Sequence, residues 1–182
     1  MGGADPVVFG SSFSSYSTLQ MSGAQIDPVY WQAGCATDDA VEGVLPVGWI
    51  IAWGMCKPGV KWDEFVALAG PEITRSDDGL WQPLADPRVR AVMPMGNDAL
   101  ILFGKRGLAT IDRPTLVLES SKDEGYPVAS KMFEFMPKEW AALITNIGYD
   151  HMILLDPVGL SHMRHLMVAF FGYHLLGRKE YA

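Results

Sequence analysis

The sequence predicts an α/β fold with about four parallel strands and flanking helices. Short apolar runs of strand length recur along the chain, near residues 6–10, 88–94, 114–119 and 141–147. Helix-like stretches lie between and after these runs, which is typical of a parallel sheet. Polar residues suited to catalysis follow three of the runs, where the carboxyl edge of such a sheet binds ligands.

The first strand candidate, at residues 6–10, is followed at once by a small-residue helix candidate at 13–24. A sharp strand-to-helix turn with serine at its apex is a nucleophile elbow. Its strained backbone requires small residues two positions before and two positions after the apex. Gly10 and Ser14 meet that requirement around Ser12, so the sequence predicts Ser12 as a nucleophile.

An acid and a histidine follow the last two strand candidates. Asp123 comes shortly after the run at 114–119, and His151 comes shortly after the run at 141–147. Both positions belong to the carboxyl edge of a parallel sheet. The order Ser12, Asp123, His151 is the order of the catalytic triad in α/β-hydrolases. Glu124 and Asp150 are rival acids, although Asp150 adjoins His151 and should point elsewhere.

With these motifs the chain resembles the α/β-hydrolase superfamily, most closely its dienelactone hydrolase and platelet-activating-factor acetylhydrolase-like branch. Nearly the whole chain outside residues 28–85 takes part in the resemblance. Relatives usually read G-H-S-F-G-G at the elbow; here Ser11 replaces the histidine, and Ser14 and Ser15 replace the glycines. The segments that carry the resemblance are GSSFSSYSTLQMSGA at 10–24, DPRVRAVMPM at 86–95, FGKRGLATIDRPTLVLESSKDEGYP at 103–127, GYDHMILLD at 148–156 and VAFFGYHLLGRKEYA at 168–182.

The resemblance implies a single domain over residues 1–182 that is a partial, N-terminally truncated α/β-hydrolase fold, because relatives carry several strands and helices before the elbow. It favours Asp123 over Glu124 as the acid. It also implies that the Phe13 N–H stabilises an oxyanion, whereas the second donor would come from an upstream loop that this chain lacks. No cofactor is expected. The first strand would be an uncovered apolar edge, so a homo-oligomer or a complementing second chain is expected.

Residues 28–85 form a Trp-rich, cap-like insertion in this interpretation, and five of the six tryptophans lie there. They could line an apolar substrate pocket, with Trp49 and Trp53 as candidates, or they could fill the small core of a cap. The two cysteines, Cys35 and Cys56, also lie there. They could form a disulfide in an exported protein or remain buried thiols, and the sequence slightly favours buried thiols.

Composition and charge exclude several classes of function. A net charge of −7 and a pI near 5.0 argue against nucleic-acid binding, which needs clustered Lys and Arg. The longest uncharged run, at 43–56, is too short to span a membrane. Residues 1–5 show no signal peptide, so a cytoplasmic location is the default expectation and an exported parent protein stays open. The three histidines at 162, 165 and 174 lie on a core-packing helix pattern, and no metal site is expected.

These observations predict a serine hydrolase that cleaves a small or lipid-like carboxylic ester through an acyl-enzyme. The alternative is a catalytically impaired remnant that serves as a binding or interaction module, or that needs a second chain to complete its site.

Overall fold

The computed structural model describes residues 6–35, 54, 56, 61–70 and 78–181. Four strands form one parallel sheet in the order β1-β2-β3-β4, with β1 at Val7–Ser11, β2 at Ala91–Met95, β3 at Thr115–Ser120 and β4 at Ala141–Asn146. Each strand falls within a few residues of an apolar run in the sequence. The predicted α/β class, with parallel strands and flanking helices, is confirmed.

Six α-helices belong to the part of the chain that the structure describes. They are α1 at Ser14–Met21, α2 at Pro28–Cys35, α3 at Trp62–Ala69, α4 at Leu100–Leu108, α5 at Tyr126–Phe135 and α6 at Pro157–Leu176. Asp156 caps α6 by accepting a hydrogen bond from the Gly159 N–H, and Pro157 occupies the first turn, where its missing N–H costs nothing. Within the same ranges, none of the helices is long and apolar enough to cross a membrane.

The helices cover both faces of the sheet, and the period-2 alternation of the strands separates two cores. Val117 faces a core that includes Leu19 of α1, Phe103 of α4 and Met132 of α5. Its neighbours Leu116 and Leu118 face the opposite core, together with Met93, Met95 and Met163 of α6. This arrangement leaves the carboxyl edge of the sheet, where the strands end, to the loops that carry the predicted site.

The described part of residues 28–85 is held together by aromatic rings. Trp31 and Trp81 are buried and pack with Trp62 and Phe65, with ring centroids 5.5 to 6.1 Å apart. These three tryptophans therefore fill a core rather than line a pocket. The two pocket candidates, Trp49 and Trp53, lie outside the described residues.

The two cysteines are joined in a disulfide. Cys35 at the end of α2 and Cys56 have Cα atoms 5.2 Å apart, and they are 21 residues apart in sequence. The slight preference of the sequence for two buried thiols was wrong. Residue spacing could not decide it, because what allows a disulfide is the three-dimensional approach of the two Cα atoms.

Candidate active site

Ser12 stands at the apex of a sharp turn between β1 and α1. Among the described residues, it is the only one other than glycine with a positive φ, at 56°. Its N–H donates to the Met95 carbonyl at the end of β2 over 2.9 Å, which fixes the turn to the neighbouring strand. A Cβ on Gly10 would overlap Thr18 Oγ1 and would lie 2.5 Å from the Ser14 carbonyl oxygen. The small residue expected two positions before the apex is therefore required by the close approach of α1.

Hydrogen bonds join Ser12, His151 and Asp123 into one chain. His151 Nε2 lies 2.8 Å from Ser12 Oγ, and His151 Nδ1 lies 2.7 Å from Asp123 Oδ2. With the proton on Nδ1, the imidazole donates to the buried Asp123 carboxylate and accepts from the Ser12 hydroxyl. The three residues predicted from the sequence thus meet at the carboxyl edge of the sheet, although 139 positions separate Ser12 from His151.

The loops that carry Asp123 and His151 are bonded to each other. The Lys122 N–H donates to the Tyr149 carbonyl over 2.8 Å, and the Ser121 N–H donates to the Asn146 carbonyl over 3.1 Å. The Gly148 N–H donates to Ser121 Oγ over 2.8 Å. These bonds continue the pairing of β3 with β4 beyond the strands, so the acid and the base are positioned as one unit.

The rival acids do not bond the imidazole. Asp150 Oδ1 accepts from the Met152 N–H over 2.9 Å, so it closes its own turn. Glu124 is exposed and lines the cavity above Ser12. Asp123 is the acid whose carboxylate contacts His151, which its position shortly after β3 predicted.

The Phe13 N–H is available beside Ser12. Phe13 precedes α1 with helical φ and ψ of −54° and −34°, and its N–H donates no hydrogen bond within the part of the chain that the structure describes. A free N–H at a helix N-terminus attracts negative charge. The Phe13 ring is 67% exposed and contacts Tyr16 edge-on, with centroids 5.5 Å apart.

Asp98 and Tyr16 form a pair that sequence reasoning missed. The Tyr16 hydroxyl donates to Asp98 Oδ1, and both side chains line the cavity. Burial raises the pKa of Asp98, and the charge of Asp123 raises it further, while the bond from Tyr16 opposes the rise. Burial is the largest cause that raises the pKa of the Tyr16 phenol, and the charge of Asp98 and the hydrogen bond between Tyr16 and Asp98 raise it further. Asp98 could have been found, because it follows β2 in the same way that Asp123 follows β3.

Glu119 lies beneath the site and is completely buried. Its Oε1 accepts from the Asn97 N–H over 3.0 Å, while Oε2 has no hydrogen-bond partner among the described residues. Burial raises the pKa of Glu119 to about 8, and the charges of Asp123 and Asp98 add to the rise. Asn97 follows Gly96, whose backbone touches the acid–base pair: a Cβ there would lie 3.1 Å from His151 Cε1. Glu119 thus supports the turn against which His151 rests.

A cavity of about 400 Å³ opens over Ser12. Among the described residues its lining is formed by the triad, by Phe13, Tyr16 and Asp98, and by loop residues Gly96, Lys122, Glu124, Gly125, Asp150 and Met152. Within the same part of the chain, no group of three or more His, Cys, Asp and Glu side chains is arranged to hold a metal ion. The arrangement can therefore place a small substrate against a hydroxyl group that is bonded to an imidazole.

No family model matches the chain, and no curated protein matches it. The chain is similar to the solved structure of E-2-(acetamidomethylene)succinate hydrolase, with 13% sequence identity and a TM-score of 0.41 over 92% of this chain and 67% of that one. A likeness at this level carries no argument about function. The interpretation of the site therefore depends on its own geometry.

Proposed function

We propose that the chain is a serine hydrolase of the α/β-hydrolase type that cleaves carboxylic esters. The observation that carries the proposal is the chain of two short hydrogen bonds from Ser12 through His151 to Asp123. An apex serine in the left-handed region, bonded to a histidine that is itself oriented by a buried carboxylate, is the arrangement that acyl transfer needs. Relationship to the dienelactone hydrolase-like branch is part of the proposal.

In the first step the Ser12 hydroxyl attacks the ester carbonyl as His151 Nε2 takes its proton. The Oγ–C bond forms, the C–O bond to the alcohol breaks, and the leaving alcohol takes the proton from the imidazolium. Water then attacks the acyl-enzyme with the same base, releasing the acid and restoring Ser12. Asp123 holds the imidazole in the productive tautomer and stabilises its charge.

The Phe13 N–H would stabilise the negative charge on the carbonyl oxygen. Its position directly after the nucleophile, at the N-terminus of α1, is that of an oxyanion donor in this fold. One such donor contributes about 3–4 kcal/mol to the transition state.

The test is covalent labelling with a fluorophosphonate, read by intact mass. The probe should add one phosphonyl group to the wild-type protein and none to Ser12→Ala. Ser11→Ala is the matched control, because it removes the neighbouring hydroxyl one residue earlier and should leave labelling intact. Asp123→Asn should label much more slowly, since the imidazole would adopt the wrong tautomer. Labelling that survives in Ser12→Ala would refute the assignment, and a folded wild-type protein that never labels would favour a binding module.

A further inference from the structure

The cavity over Ser12 is strongly acidic. Among the described residues, its lining includes one ammonium group, that of Lys122, and four carboxylates, those of Asp98, Asp123, Glu124 and Asp150. The Asp123 carboxylate is already hydrogen-bonded to His151. Glu124 and Asp150 are exposed, so solvent screens their charge. Asp98 is therefore the carboxylate most able to act on a bound molecule, because it is partly buried.

Asp98 forms no salt bridge in the part of the chain that the structure describes. None of the ion pairs there includes it, and its side-chain partner is the neutral hydroxyl of Tyr16. The negative charge of Asp123 opposes the ionisation of Asp98, and the nearby His151, whose imidazole is bonded to Asp123, favours it. A cation brought into the cavity would supply the charge that this site lacks, and an anion would meet two carboxylates at once.

Phe13 adds an aromatic surface to the cavity that Asp98 lines. Its ring is 67% exposed, it lines the cavity, and its edge-on contact with Tyr16 places it beside the residue that bonds Asp98. Organic cations bind aromatic faces, and they bind more strongly where water is excluded from the contact. A cavity that holds both a carboxylate outside any salt bridge and an open aromatic ring is thus suited to an ammonium group.

We infer that the cavity selects esters that carry a cationic group, such as a quaternary or protonated amine, and that Asp98 determines this selectivity. Uncharged esters rank second and anionic esters last. The inference rests on the proposed function, since it names the substrate class of the same site. Opposite charge in a cleft raises association rates by about tenfold or more, and the effect falls with ionic strength.

Three matched fluorophosphonates test it. They share one phosphonyl fluoride centre and differ only in the alkoxy group: trimethylammonioethyl, its uncharged isostere 3,3-dimethylbutyl, and sulfoethyl. The measurement is the second-order rate constant for labelling of Ser12 at low salt. In the wild-type protein the cationic probe should react at least about tenfold faster than the neutral one, and the anionic probe should be slowest.

The variant is Asp98→Asn, and only the ratio of cationic to neutral rates is compared, because a general loss of reactivity cancels in a ratio. That ratio should fall severalfold, although not to one, because the Phe13 ring and the other carboxylates remain. The matched control is Glu139→Gln. Glu139 is exposed and precedes β4, at the opposite edge of the sheet, so this substitution removes the same charge and should keep the wild-type ratio. Equal rates for the three probes, or a ratio unchanged in Asp98→Asn, would overturn the inference while leaving the hydrolase proposal intact. A protein that none of the probes labels would refute both.

Discussion

Glu119 should make the protein less stable as the pH rises from acid to weakly alkaline values. Its pKa is raised by burial from 4.5 to about 8 in the folded chain. Between these values the folded state holds a proton that the unfolded state has lost, so the free energy of unfolding falls with increasing pH. At about 1.4 kcal/mol per pK unit the full effect is about 5 kcal/mol, reached once the pH passes the folded pKa. Below the unfolded pKa the penalty is absent.

Glu119→Gln removes this titration while retaining an oxygen that can accept from the Asn97 N–H. Urea unfolding at about pH 5 and about pH 8.5 should show the variant gaining about 3–4 kcal/mol relative to wild type between the two conditions. Glu139→Gln, which removes an equal charge from an exposed position, should follow the wild-type pH dependence. Parallel losses of stability in Glu119→Gln and wild type would contradict this prediction, because Glu119 would then be ionised at little cost.

Two further predictions concern the backbone around the site and the disulfide. Gly96→Ala should slow fluorophosphonate labelling about tenfold or more, because the new Cβ would lie only 3.1 Å from His151 Cε1 and would push the ring aside. Since φ is +60° at Gly96, the free energy of unfolding measured in urea should also fall, but only by about 1–2 kcal/mol. An unchanged labelling rate would contradict the contact. Reduction of the Cys35–Cys56 bond should destabilise the protein by about 3 kcal/mol, the loop-closure value for a separation of 21 residues. Two titratable thiols in the unreduced native protein would show that this bond does not form.

The sequence was a good guide wherever one local rule determines the outcome. Four apolar runs give the four strands, and the small residues around Ser12 locate the elbow because only a glycine at position 10 admits α1 so close to β1. Asp123 and His151 could be placed because each follows a strand, and parallel strands end at a common edge.

Local sequence patterns could not predict contacts between distant segments. The bond from Tyr16 to Asp98 joins residues 82 positions apart, and neither residue type is unusual in its own segment. Glu119 gave a weak signal, a charged residue at the end of an otherwise apolar strand, but its complete burial depends on the turn at Asn97 that covers it. The disulfide likewise depends on the distance between two Cα atoms, which residue order does not specify.

The bonds between the loops after β3 and β4 link Asp123 and His151 more tightly to each other than to Ser12. Asp123 and His151 share a framework of backbone hydrogen bonds, whereas Ser12 is attached through β2 by its N–H to the Met95 carbonyl. A fluctuation that parts the two halves of the sheet would stretch the distance from Ser12 Oγ to His151 Nε2 and leave the distance from His151 to Asp123 unchanged. The imidazole would keep its bond to Asp123 during such a motion, so the site would lose contact with its nucleophile before it lost its base.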